Sequence, residues 1–195
     1  MFSRLRKLPL AALGLIAILA LSACGDSHTK VTTGTYAGES GAGAPYLDVG
    51  PLIYQVQLSR QLSPFDTEDA TYLEGLSPAE RQLAPGQEWL GVFIQVYNNN
   101  SFQASAATSM TVTDTQGDAY TPLAPNQTNP FVYRGGPVPA EGRLPVPDSI
   151  ASDAPTQGAL LLYKIQTLSL DNRPLKIKIV SPSNPAETAS AELDV

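Results

Sequence analysis

From Leu47 onward, apolar and polar residues alternate in short runs separated by clusters of Pro, Gly, Asn and Asp, which is the pattern of an all-β domain. Leu52, Tyr54, Val56 and Leu58 alternate with Ile53, Gln55, Gln57 and Ser59, predicting a strand with one face in the core and the other half exposed. Trp89 to Tyr97 is apolar on both faces: Leu90, Val92, Ile94 and Val96 oppose Trp89, Phe93 and Tyr97, as in a central strand covered on both sides. Thr108 to Thr113 and Ala119 to Leu123 flank Asp114-Thr115-Gln116-Gly117-Asp118, where Asp and Gly supply a reversing turn, so a β-hairpin is expected. Ala159 to Gln166 and Leu175 to Val180 predict two more strands, the second turning Leu175, Ile177 and Ile179 inward and Lys176 and Lys178 outward. A final alternation of Ala191, Leu193 and Val195 reads as a short edge strand or a loose tail.

Two long connections remain, Gln61 to Gln87 and Ala124 to Gln157, and connections of this length in a compact domain often carry function. The first holds a predicted helical turn over Thr67 to Leu73 and another at Ser77-Pro78-Ala79-Glu80, where Ser precedes Pro as an N-cap does. About seven strands with these turns predict an immunoglobulin-like two-sheet β-sandwich.

The N-terminus has a different texture. Arg4, Arg6 and Lys7 precede an apolar run from Leu8 to Leu21, too short for a membrane span and suited to a signal-peptide core. The run ends in Leu21-Ser22-Ala23-Cys24, which resembles the lipobox of bacterial lipoproteins, in which the Cys is lipidated and becomes the first residue after cleavage. The alternatives are an ordinary secreted protein cleaved after Ala23 or an uncleaved anchor helix. The expected layout is a signal peptide over 1–23, lipidated Cys24 and a flexible Gly/Ser/Thr-rich tether over 24–46, the sandwich over 47–182, and a tail or edge strand over 183–195. The membrane is the expected partner, through lipid on Cys24, on the extracytoplasmic face of a bacterial cell.

Charge narrows the function classes. The full chain has 12 Lys plus Arg against 18 Asp plus Glu, and losing Arg4, Arg6 and Lys7 with the leader moves the net charge from −6 to −9. Nucleic acid is not an expected partner, since phosphate binding needs clustered Lys and Arg. The single Cys is Cys24 and the single His is His28 in the tether, so the domain has no residues for Ser-His-Asp or Cys-His catalysis or for the usual zinc ligands. No phosphate-binding glycine loop precedes a helix, and no cofactor is expected. Carboxylates remain: Asp66, Asp69, Asp114 and Asp118 would form a calcium site or an acid pair only if their loops converge, and otherwise serve as turn and helix-start residues. Tyr120, Phe131, Tyr133 and Arg134 beside the Pro-rich connection are candidates for an exposed platform for a peptide or glycan, or else pins that hold the loop to the sandwich.

The order of tether, Leu52–Leu58 strand, WLGVFIQVYNN strand ending in Asn, hairpin with Asp114, Gly117 and Tyr120, and a late strand pair resembles the telokin-like, immunoglobulin-fold extracellular domains of unknown function in bacterial lipoproteins. The resemblance covers roughly Leu47 to Pro182 and implies a sandwich outside the membrane without catalytic residues. The expected function is therefore a lipid-anchored, non-catalytic interaction module whose long loops meet an envelope protein or glycan. Two alternatives stand beside it: a structural envelope subunit that pairs through an open sheet edge, and a calcium-dependent or carboxylate enzyme.

Overall fold

The computed structural model describes residues 29–35 and 46–195. The leader and, within the expected tether, residues 24–28 with Cys24 and His28 and residues 36–45 lie outside the described residues. In chain order the elements are β1 (Thr29–Thr35), β2 (Tyr46–Val49), β3 (Leu52–Leu62), α1 (Thr67–Tyr72), β4 (Gln87–Tyr97), β5 (Ala104–Ala106), β6 (Met110–Thr113), β7 (Ala119–Tyr120), β8 (Gly136–Val138), β9 (Arg143–Leu144), α2 (Ile150–Asp153), β10 (Ala159–Gln166), β11 (Leu175–Val180) and β12 (Thr188–Leu193). A 3-10 turn, Thr167–Leu170, joins β10 to β11.

These strands form the all-β sandwich that the sequence predicts. One sheet has the order β1-β12-β11-β6-β7; the other has the order β10-β4-β3-β2, with β9 beside the end of β4. Leu52, Tyr54 and Val56 of β3, the even-numbered face of β4 from Leu90 to Val96, and Leu175, Ile177 and Ile179 of β11 meet between the sheets. Each such fully buried aliphatic side chain is worth about 1.5–3 kcal/mol relative to exposure. A second cluster lies on the outer face of the β10-β4-β3-β2 sheet, where Trp89, Phe93, Leu160 and Leu162 are covered by Tyr72, Leu73 and Leu76. β4 is thus covered on both sides, which accounts for its apolar residues on both faces.

A β-bulge explains how β3 serves both clusters. Val56 pairs with Ile94 and Leu58 with Phe93, so Gln57 is an extra residue on the β3 side. One inserted residue exchanges the faces of everything after it. Leu62 accordingly joins the outer cluster although it continues the even-numbered series of Leu52 to Val56.

Three expectations need correction. Residues 29–35, read as tether, form β1 and pair in parallel with β12, from Thr29↔Thr188 to Thr35↔Glu192. The sandwich does not end at 182: β12 lies between β1 and β11, so it is an interior strand rather than a tail or an edge. Gln55, Gln57 and Ser59, expected together on a half-exposed face of β3, are all buried, Gln57 donating to Gln55 at 2.8 Å and the Ser59 hydroxyl to the Asp194 carbonyl at 3.1 Å, and the bulge puts Ser59 on the opposite face from Gln55.

The sandwich has two distinct ends. At the near end, Gly50 N–H donates to Glu187 at 2.9 Å, tying the β2–β3 turn to the β11–β12 connection, and Asn100 donates to Pro51 O at 2.6 Å. At the far end, the Ser169 hydroxyl donates to Asp114 at 2.8 Å, tying the 3-10 turn to the β6–β7 turn.

Candidate functional site

The aromatic residues nominated from the sequence do not form an outward platform. Tyr133 is buried and its hydroxyl donates to Ala107 O at 2.7 Å. Phe131 is half-buried, edge-on to Tyr72 with ring centroids 4.9 Å apart. Arg134 spends its guanidinium on the carbonyls of Pro125 (3.3 Å), Asn126 (2.6 Å) and Asn129 (3.3 Å). These three line a shallow groove of about 280 Å³ with Pro145 and Val146, but their polar groups are already engaged. Tyr120 stands apart at the far end, its hydroxyl 2.7 Å from that of Ser169. The physical reason is edge protection: Leu160 accepts from Tyr133 N–H and donates to Phe131 O, each at 2.8 Å, so this stretch covers the outer edge of β10.

The nominated acids are likewise used locally. Asp66 is the N-cap of α1, its Oδ1 accepting from Glu68 N–H (2.9 Å) and Asp69 N–H (3.2 Å). Asp69 is buried, accepting from Ser63 N–H at 2.8 Å and pairing with Arg60 at 2.5 Å. Asp114 Oδ1 accepts from the N–H groups of Gln116 (2.9 Å) and Asp118 (3.0 Å), closing the hairpin turn with Gly117 at φ +94°. Burial opposes its charge, but the bonds from Ser169, Asp118 and Gln116 outweigh burial and hold its pKa below the usual carboxylate value. Asp118 is exposed beside it. Among the described residues, no three His, Cys, Asp or Glu side chains come together as metal ligands.

The part of the outer sheet face that the long connections leave open is where β2, β3 and β4 run side by side toward the near end. Strand register puts Tyr46, Gln55 and Gln95 in one row and Asp48, Ile53, Tyr97 and Arg143 in the next. All seven alternate with core residues, so their side chains share the outer face. Tyr46, Ile53, Tyr97 and Asn99 line a cleft of about 380 Å³, at the lower end of the roughly 300–1,000 Å³ range of small-ligand sites. Tyr46 is 67% exposed, a large commitment of aromatic surface to solvent. The Tyr97 hydroxyl donates to Gln95 Oε1. The Tyr97 phenol is pushed up by burial first and by the Tyr46 phenol second, with Arg143 acting in the opposite direction. The two tyrosines therefore sit close on either side of Ile53.

No family model and no curated protein matches this chain. Its fold has solved counterparts. The yjhA protein from Bacillus subtilis has a TM-score of 0.50 at 12% identity, over 77% of this chain and 97% of that one. The ycdA protein from Bacillus subtilis has a TM-score of 0.46 at 9% identity over 76% and 38%, and an uncharacterised β-sandwich protein from Clostridium difficile has 0.43 at 8% over 86% and 96%. Likeness at this identity is a likeness of fold, and the site stands on this chain's own residues. The cleft was missed in the sequence because the domain start at Leu47 leaves Tyr46 in the tether, and because pairing of Ile53 with Tyr97 is a matter of register. The visible signal was Ile53, an aliphatic residue on the polar side of an alternating strand.

Proposed function

We propose that this chain is a non-catalytic binding module, held on the outer face of a bacterial membrane through lipid on Cys24, with the Tyr46–Ile53–Tyr97 cleft as its contact site. The observation that carries the site is the open part of the outer sheet face: elsewhere that face is sealed by the long connections, yet here two tyrosines and an isoleucine are left accessible. The long connections pack over Trp89, Phe93, Leu160 and Leu162 on that face. Support for the anchor is the charged leader, the apolar run and Leu21-Ser22-Ala23-Cys24, together with the resemblance to telokin-like lipoprotein domains. Among the described residues no helix is long and apolar enough to cross a membrane.

Both halves of the reading have a test on the full-length chain. Cells fed labelled palmitate should label the wild type and not Cys24→Ser; equal labelling contradicts the anchor. With Cys24 lipidated, Asn99→Cys introduces the single free thiol into the cleft, and Gln116→Cys places one on the remote hairpin turn. Asn99→Cys should react with maleimide more slowly in intact cells than in purified protein, while Gln116→Cys reacts alike in both. Equal behaviour of the two positions contradicts the cleft.

A further inference from the structure

We infer that the cleft takes a neutral sugar chain; this rests on the cleft being the contact site. Any occupant must satisfy two demands at once. It must present apolar surface to Tyr46, Ile53 and Tyr97, and it must supply hydrogen-bond partners to the amide of Asn99 in the lining, with Gln95 in the adjoining row, since covering an amide with a purely apolar surface leaves a buried polar group unpaired. A lipid tail meets the first demand and fails the second. An anionic ligand finds only Arg143 in the rows of the cleft, with Asp48 on the same row, far from the clustered guanidinium groups that carry such recognition. A pyranose meets both: its C–H face packs on an aromatic ring, and each hydroxyl both donates and accepts, as an amide side chain does. Gln57 donating to Gln55 at 2.8 Å and Tyr97 donating to Gln95 fix the amide floor beneath the rings before a ligand arrives.

The test is calorimetric titration of the purified full-length protein, in a detergent without a sugar headgroup, with cellohexaose, N-acetylchitohexaose and maltohexaose. At least one should bind, and Tyr97→Ala and Tyr46→Ala should each weaken it about tenfold, the loss expected for a ring-stacking contact. Tyr97→Phe, which keeps the ring, should lose less than Tyr97→Ala. Phe65→Ala, at a residue 97% exposed at the far end, should bind like the wild type. Unchanged melting temperatures establish that the variants are folded. If none of the three sugars binds while Asn99→Cys is still protected on cells, the sugar assignment is overturned and the cleft stands. Binding that survives Tyr46→Ala and Tyr97→Ala puts the sugar elsewhere and also overturns the assignment. Loss of both the binding and the protection overturns the assignment and the cleft together.

Discussion

Asn98 is fully buried just after β4, and its amide nitrogen reaches the carbonyls of Phe102 (2.8 Å), Val138 (3.1 Å) and Pro139 (2.8 Å), while its oxygen accepts from Asn100 N–H at 3.0 Å. One side chain thus ties the end of β4 to the start of β5 and to the end of β8. Asn98→Ala leaves those groups unpaired and should cost about 1–3 kcal/mol in urea unfolding. Asn98→Asp, which sets a carboxylate against carbonyls, should cost more. Asp114 behaves differently because it titrates. Its folded pKa is depressed, so its contribution is present above the ordinary aspartate value of 3.8 and is lost as pH falls through the lower folded value. Wild-type stability should therefore drop in that acid range, and Asp114→Asn should flatten the drop in thermal melts taken across it. The two residues also show what the sequence could reveal. Asp114 is legible because two turn partners two and four residues away explain it; Asn98 also has partners at Asn100 and Phe102, but its bonds to Val138 and Pro139 cross about forty residues and cannot be read locally.

At the scale of elements, the strands around Leu52, Trp89, Leu175 and the hairpin are legible because period-two alternation is a local property. The bulge at Gln57 is not, since Leu52, Tyr54, Val56 and Leu58 alternate evenly through it and only pairing with β4 exposes the extra residue. β1 escapes notice for a similar reason: Thr29–Thr35 has one large apolar residue, Val31, and its partner β12 is remote in sequence. The outer cluster gives this scale its prediction. Trp89 is fully buried there, so Trp89→Ala should cost about 3–5 kcal/mol and make residues 61–87 more sensitive to protease, because Tyr72, Leu73 and Leu76 lose their support. Tyr46→Ala should change stability by no more than about 0.5 kcal/mol, since Tyr46 is largely exposed. That contrast separates aromatics kept for packing from one whose surface is left to a ligand.

For the whole molecule, the point where the chain enters the sandwich sets an orientation. Thr29 pairs with Thr188, the first residue of β12 after the near-end connection that carries Glu187. Thr29 is five residue steps from Cys24, a span of at most about 18 Å. On the proposed reading, a lipid on Cys24 would hold the near end, with the β2–β3 turn and Phe102, toward the membrane and send Phe65 and Leu168 away from it. In vesicles, a fluorophore on Ser101→Cys should be quenched by a lipid-borne quencher more strongly than one on Gln116→Cys; the reverse order contradicts the orientation. The cleft opens near the same end of the sandwich, where the proposed surface-bound sugar chain would lie across it.

The most direct test of the cleft is fluorine NMR of the full-length protein with 3-fluorotyrosine at all eight tyrosines, titrated with the tightest of the three hexasaccharides. The account predicts that the Tyr46 and Tyr97 resonances shift together with one binding constant, while those of the buried Tyr54, Tyr133 and Tyr163 stay in place. A shift at Tyr120 instead, or none at Tyr46 and Tyr97 at saturating sugar, contradicts it.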